Sequence, residues 1–187
     1  LSLVVPGLHN MLNALAAFAA GCALSVNEEK LIQGLSSFTG TKRRFELKGE
    51  VGGVKVIDDY GHHPTEIHVT LEAARRFADA GRLIVIFQPH RYSRTQAFAE
   101  QFAKELDVAD RAILLEVYAA SEKPIEGVNS KIITSKMSKG EYIPNFVEVT
   151  DSVIADAQPG DVIMTLGAGD VSSLAPIIVE GLTRRFA

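Results

Sequence analysis

Residues 83–95 read Leu-Ile-Val-Ile-Phe-Gln-Pro-His-Arg-Tyr-Ser-Arg-Thr. The first five are apolar without interruption. A strand of that kind has both faces buried, as in a parallel sheet covered by helices on each side. The polar run after it leads into a helix over 93–108. The same unit recurs on either side. Residues 54–58 are extended, and Pro64 suits the first turn of a helix over 64–80. Further on come a strand at 112–117, a weaker helix at 129–139 and a strand at 146–149 with a helix at about 151–157. A strand at 162–166 and a closing helix at 171–186 follow. Residues 45–51 pair back onto 54–58 across Gly52-Gly53, a favoured two-residue hairpin turn. The predicted fold class is α/β: a mostly parallel sheet of about six strands, one of them an antiparallel edge, flanked by helices.

Upstream, 8–24 is an Ala-rich helix, apolar on most sides, that wants burial on more than one face. Ser25 with Glu28 forms a capping box for a second helix reaching about residue 38. The polar segment 39–44, with Gly40, marks the boundary between a small helical piece (1–40) and the main domain (41–187).

Composition narrows the function classes. The 187 residues are 47% hydrophobic and 22% charged, enough apolar material for a full core. The net charge is -4, and no Lys/Arg-rich run appears, which disfavours nucleic acid as a partner. The single cysteine, Cys22, cannot close an internal disulfide and reads as a buried small hydrophobe. The apolar stretch 12–26 is interrupted by Asn13, Gly21 and Ser25 and is too short to cross a bilayer. The first residues lack the basic region of a signal peptide. The chain begins at Leu1 rather than Met, so a piece of a longer chain is expected.

In sheets of this kind ligands sit at the carboxyl ends of the strands. That rule selects the loops 58–64, 88–94, 116–124 and 167–170. The first continues as Asp58-Asp59-Tyr60-Gly61-His62-His63-Pro64-Thr65-Glu66. A carboxylate there can accept ribose hydroxyls, and an imidazole can donate to phosphate or carry a proton. The plain alternative is that Asp59 or Thr65 caps the next helix. Neighbouring His62 and His63 rarely aim both rings at one ion, so no metal site is expected. In the second loop Arg91 and Arg94, three residues apart at a helix start, can make an anion clamp for carboxylate or phosphate, or be a solvated basic helix start. Arginines in a first turn run against the usual acidic preference there.

Gly7-Leu8-His9-Asn10-Met11-Leu12-Asn13 places polar groups at the start of an apolar helix. Asn amides can read an adenine edge, or Asn10 can simply cap the helix. The basic triplet in Thr41-Lys42-Arg43-Arg44-Phe45-Glu46 can meet phosphates, or be a solvated linker. Gly167-Ala168-Gly169-Asp170 follows a strand, but the third glycine of a dinucleotide loop is replaced by Ser172, so a tight turn is the better reading and a dinucleotide oxidoreductase is disfavoured. No GxxxxGK[ST] phosphate loop occurs.

Taken in order, these motifs resemble the Mur ligases of peptidoglycan synthesis, over nearly the whole chain. The segments at 58–66 and 87–95 are the specific ones, and they look like the branch that adds L-alanine. The branch that recycles murein tripeptide shares the first segment, and a stand-alone nucleotide-binding module is the alternative from another class. The resemblance implies that 41–187 is the Rossmann-like C-terminal domain and that 1–40 is the helical tail of the central ATPase domain. The UDP-sugar domain and the ATP loop, with its magnesium ligands, would lie elsewhere in the parent. It implies a bacterial cytoplasmic ligase using UDP-N-acetylmuramate, L-alanine, ATP and Mg, and no turnover by this chain alone. It also implies roles. His9, Asn10 and Asn13 would contact adenine, Arg44 the terminal phosphate and Asp59 the ribose. Tyr60 and His62 would lie beside the acyl phosphate and the incoming amino acid. Arg91 and Arg94, with His90, would bind substrate carboxylate or phosphate, leaving His62 and Arg91 as the catalytic pair.

Overall fold

The computed structural model describes residues 2–5 and 7–187. Two helices come first, α1 (Leu8–Ala23) and α2 (Glu28–Ser37). They pack against each other, but α1 leaves Met11, Leu12, Leu15 and Cys22 exposed, against the burial expected of them, and α2 buries none of its residues. The cap of α2 is Asn27, whose side chain accepts the Lys30 N–H. Ser25 instead takes a left-handed conformation (φ 58°), so the expected Ser25/Glu28 box does not form.

The hairpin forms as read: β1 (Glu46–Val51) lies antiparallel to β2 (Val54–Asp59). Gly52 and Gly53 both have positive φ (58° and 77°), which a two-residue turn of matching twist requires. Then follow α3 (Pro64–Ala78), β3 (Leu83–Phe87), α4 (Tyr92–Leu106) and β4 (Arg111–Leu114). The chain continues through α5 (Lys131–Thr134), β5 (Gly140–Tyr142), α6 (Phe146–Asp156) and β6 (Val162–Leu166). A 3-10 turn (Asp170–Ser173) leads into α7 (Leu174–Phe186).

The six strands run in the order β1-β2-β6-β3-β4-β5, all neighbours parallel except β1 with β2. Alternate residues of the central strands feed two cores. Val85, Phe87, Met164 and Leu166 pack toward α3 and α4, whereas Ile84, Ile86 and Ile163 pack toward α6 and α7. All seven are fully buried, as the unbroken apolar runs require.

Two expectations fail on the far side of the sheet. Residues 146–149 are not a strand but the first turn of α6. Asn145 decides this, because its side chain accepts the N–H groups of Val147 and Glu148. Val149 and Val153, one helical turn apart, then face the core. The fifth strand is Gly140–Tyr142, paired with β4, and α5 is one turn rather than 129–139.

β6 returns to lie between β2 and β3, so the strand order reverses there. The crevice above β2, β6 and β3 is therefore the place where this topology receives a ligand.

Candidate functional site

The loop after β2 is held by the residues that also line the crevice. Asp59 is buried, 4% exposed, and its carboxylate organises the turn. Oδ1 accepts the Gly61 N–H (2.8 Å) and the Thr70 hydroxyl (3.3 Å), and Oδ2 accepts the Phe45 N–H (2.8 Å). Burial raises its pKa above the usual carboxylate value, against those donors and the charge of Arg44. Three bonds leave acceptor capacity on Oδ2 for one further donor. α3 is capped by His63, whose ring accepts the Thr65 N–H while Glu66 closes the capping box. Neither Asp59 nor Thr65 is the cap.

Glu66 does more than cap. Its Oε2 accepts the N–H of His62 (3.0 Å) and of His63 (3.2 Å) and lies 3.5 Å from the His62 ring. Burial alone would raise the Glu66 carboxyl, but these N–H groups, the His62 ring and Arg44 outweigh it and hold it below its ordinary value. His62 Nδ1 also lies 3.0 Å from the Tyr60 carbonyl. With Nδ1–H donating to that carbonyl, Nε2 is left as the free acceptor of the ring.

A cavity of about 680 Å³ opens beside this loop, within the size range of small-ligand sites. Asn10, Asn13, Arg44 and Asp59 all line it, with Thr41, Glu66 and the apolar Ala14, Ala17, Leu35 and Phe38. The side chain of His9, expected among the adenine contacts, lies outside the described residues. α1 starts after Gly7 with no side-chain cap, so Asn10 is not the helix cap.

Next to the cavity runs a row of rings. Tyr60 meets His62 edge-on at 5.2 Å, His62 meets His90 at 5.6 Å, and His90 stacks on Tyr118 at 5.6 Å with 14° between planes. Arg43 and Arg44 lie over the Tyr60 ring at 4.9 and 5.6 Å. Arg94 reaches His90 Nδ1 at 3.4 Å. His90 is pushed below the ordinary imidazole pKa by burial, then by the charges of His62, Arg94 and Arg91. Arg91 is exposed and precedes α4 with φ 74°. Tyr60, His62, His90, Arg91 and Arg94, chosen from two separate motifs, thus share one edge.

The two adjacent arginines of the linker divide the work. The Arg43 guanidinium donates to Asp58 (3.3 Å) and to the carbonyls of Gly167 (2.6 Å) and Gly169 (3.3 Å), and the Arg43 carbonyl accepts the Tyr60 N–H (2.8 Å). Arg43 is a strut, and Arg44 is the one exposed at the cavity. The loop 167–170 is a tight turn, as read. A Cβ on Gly169 would meet Gln88 Oε1 at 2.2 Å, so only glycine fits. Gln88 then ties the turn down, donating to Asp170 (2.7 Å) and accepting from the Val171 N–H (3.1 Å). Glu66 and Tyr118 had no assigned role in the sequence, and Arg43, expected to meet phosphate or solvent with its triplet, is instead bound to Asp58, Gly167 and Gly169. Glu66 alone carried a signal, at the third helical position after a cap.

Among the described residues no group of three or more His, Cys, Asp or Glu is placed to hold a metal ion. No helix there is long and apolar enough to cross a membrane.

A sheet covered on both faces carries a cavity and a pair of arginines near its switch point, and the chain that builds it belongs to the Mur ligase family. The model described as "Mur ligase, glutamate ligase domain" matches residues 43–169. The chain is 50% identical over 182 residues to the UDP-N-acetylmuramate–L-alanine ligase of Paenarthrobacter aurescens, covering 97% of this chain and 40% of that protein. The crystal structure of a UDP-N-acetylmuramate-alanine ligase from Thermotoga maritima superposes with a TM-score of 0.82 at 30% identity, covering 98% of this chain and 40% of that one. A murein peptide ligase from Psychrobacter arcticus gives 0.72 at 25% identity, covering 98% and 38%. The chain therefore spans about 40% of the length of the curated relatives it matches.

Proposed function

We propose that this chain is the closing and acceptor-binding part of an ATP-dependent ligase that joins L-alanine to UDP-N-acetylmuramate. Residues 41–187 are its Rossmann-like C-terminal domain, and 1–40 are the tail of its ATPase domain. The observation that carries this reading is the convergence of Asn10, Asn13, Arg44 and Asp59 on one cavity beside the row Tyr60-His62-His90.

In this reading ATP and the sugar carboxylate give an acyl phosphate and ADP. The alanine amine attacks the carbonyl carbon, the C–N bond forms, the C–O bond to phosphate breaks, and the amine proton leaves. Asn10 and Asn13 hold the adenine edge, with His9 beside them. Asp59 accepts one ribose hydroxyl, and Arg44 faces the terminal phosphate. Such a reaction needs positioning and charge stabilisation above all. His62 suits the proton-accepting role: Glu66 and the Tyr60 carbonyl orient its ring and leave Nε2 free. Arg91 and Arg94 form the fork for the acceptor carboxylate, with His90 beside Arg94. Magnesium belongs to the family's chemistry, and the described residues offer it no ligand cluster, so its ligands would come from the rest of the parent ligase. Both nucleotide substrates place the parent ligase in the bacterial cytoplasm.

The test is kinetic, on the full-length ligase. Phosphate release should depend on L-alanine, and Asn13→Ala should raise the ATP KM about tenfold, the scale of one lost hydrogen bond. Murein tripeptide outcompeting L-alanine as the acceptor would move the chain to the recycling branch. An unchanged ATP KM would remove the adenine assignment.

A further inference from the structure

α4 carries the clamp, yet it lacks a cap of its own. Its N-cap position is Arg91, in a left-handed conformation (φ 74°) and with no side-chain bond to the helix. A long-chain residue in that region is strained, and it persists only where its surroundings hold it. The holding groups come from the loop after β4. The Arg91 N–H donates to the Tyr118 carbonyl (2.8 Å), and the Tyr118 N–H donates to the Pro89 carbonyl (2.8 Å). Four residues on, Glu122 reaches back to the helix. Its Oε2 accepts the Ser93 N–H (3.0 Å) and its Oε1 accepts the Ser93 hydroxyl (2.6 Å). Between them Ala120 and Ser121 are themselves left-handed (φ 47° and 71°). A strained turn thus delivers a carboxylate to the start of the helix bearing two arginines. No ion pair within 4 Å joins Glu122 to Arg91 or Arg94 among the described residues.

We propose that Glu122 is a positioning residue for the acceptor: it caps α4 from outside, fixes the turn on which Arg91 and Arg94 stand, and leaves both guanidinium forks for the carboxylate of the incoming amino acid. This rests on reading the clamp as the acceptor site. The Ser93 hydroxyl and N–H hold the Glu122 carboxyl below its ordinary value, so the cap is charged at neutral pH. Its effect on the substrate is through geometry. A negative charge near the clamp opposes an anionic ligand, and only the ordering of the turn favours one.

The experiment compares Glu122→Ala and Glu122→Gln in the full-length ligase. Gln keeps an acceptor for Ser93 and removes the charge. In Ala the KM for L-alanine should rise about tenfold, kcat should fall far less, and the ATP KM should hold. In Gln the alanine KM should stay within about threefold of wild type. Equal behaviour of Ala and Gln, or an ATP KM that rises in step with that for alanine, overturns the proposal. Amide hydrogen exchange across 92–96 needs no substrate: it should speed up in Ala and hold in Gln, and unchanged exchange in Ala also overturns it. Should Glu122→Ala fail to fold, Ser93→Ala removes one of the two contacts and should give a smaller rise in the alanine KM alone, whereas no rise counts against the cap. A wild-type enzyme indifferent to L-alanine would instead sink the functional reading, while the exchange measurement still decides the cap.

Discussion

His90 sits among groups that all disfavour its charged form except Glu122. An NMR titration should therefore find its midpoint below the ordinary 6.5. The folded protein takes up this proton less readily than the unfolded chain. The His90 contribution is thus intact above about pH 6.5 and is lost as pH falls through the lower folded midpoint. A midpoint above 6.5 would mean that the ring is paired with a carboxylate. The neighbouring arginines of the linker give a second contrast. Arg43→Ala strips the cationic partner from Asp58, a carboxylate 1% exposed that keeps the Thr165 hydroxyl beside it, and should destabilise the fold by roughly 2 kcal/mol in denaturant titration. Arg44→Ala should move stability by less than about 0.5 kcal/mol while weakening ATP use. Equal stability losses would show that the two roles had been misassigned. Nothing in Lys-Arg-Arg says which arginine turns inward. The left-handed φ of Arg43 (58°) and of Phe45 (49°) decides it, and only a closed fold holds such angles. Asn10, Asn13, Arg91 and Arg94 stood out as candidates because polar groups at the start of an apolar helix, or paired cations in a first turn, violate local preference; the structure sets the two asparagines in the cavity wall.

At the scale of elements, legibility followed the strength of the apolar run. Leu83–Phe87 and Val162–Leu166 are strands because five consecutive buried side chains leave no other choice in a covered sheet. Phe146-Val147-Glu148-Val149 alternates as a strand would, yet one capping amide turns it into a helix. Asn145→Ala removes an acceptor for two N–H groups and should cost about 1 kcal/mol, a fall of roughly 2–4 °C in Tm. An unchanged Tm would mean that Val149 and Val153 hold the helix without its cap. β5 escaped notice because Gly140-Glu141-Tyr142 is short and half-buried, and pairing with β4 supplies what its own side chains do not.

For the molecule as a whole, alternating strands and helices made the architecture readable, whereas the strand order did not follow from pattern alone. The return of β6 between β2 and β3 brings the loops of three separate motifs within reach of one another. The same scale governs activity. The 187 residues contain no GxxxxGK[ST] segment, so the isolated chain should release no phosphate from ATP with UDP-N-acetylmuramate and L-alanine present. Alanine-dependent release from the purified chain would require an ATPase centre within it.

The cavity has two jaws. Asn10, Asn13, Leu35 and Phe38 precede the linker, and Asp59, Glu66 and Thr70 follow it. Arg43 is bolted to the sheet through Asp58, Gly167 and Gly169, so any pivot between the jaws falls before it, at Gly40 (φ 107°) and its neighbours. A small turn there acts through the length of α1, about 24 Å for 16 residues, on the gape at the side lined by Asn10 and Asn13. The width of the cavity and the angle of the first two helices are thus one mechanical variable, set in the stretch around Gly40.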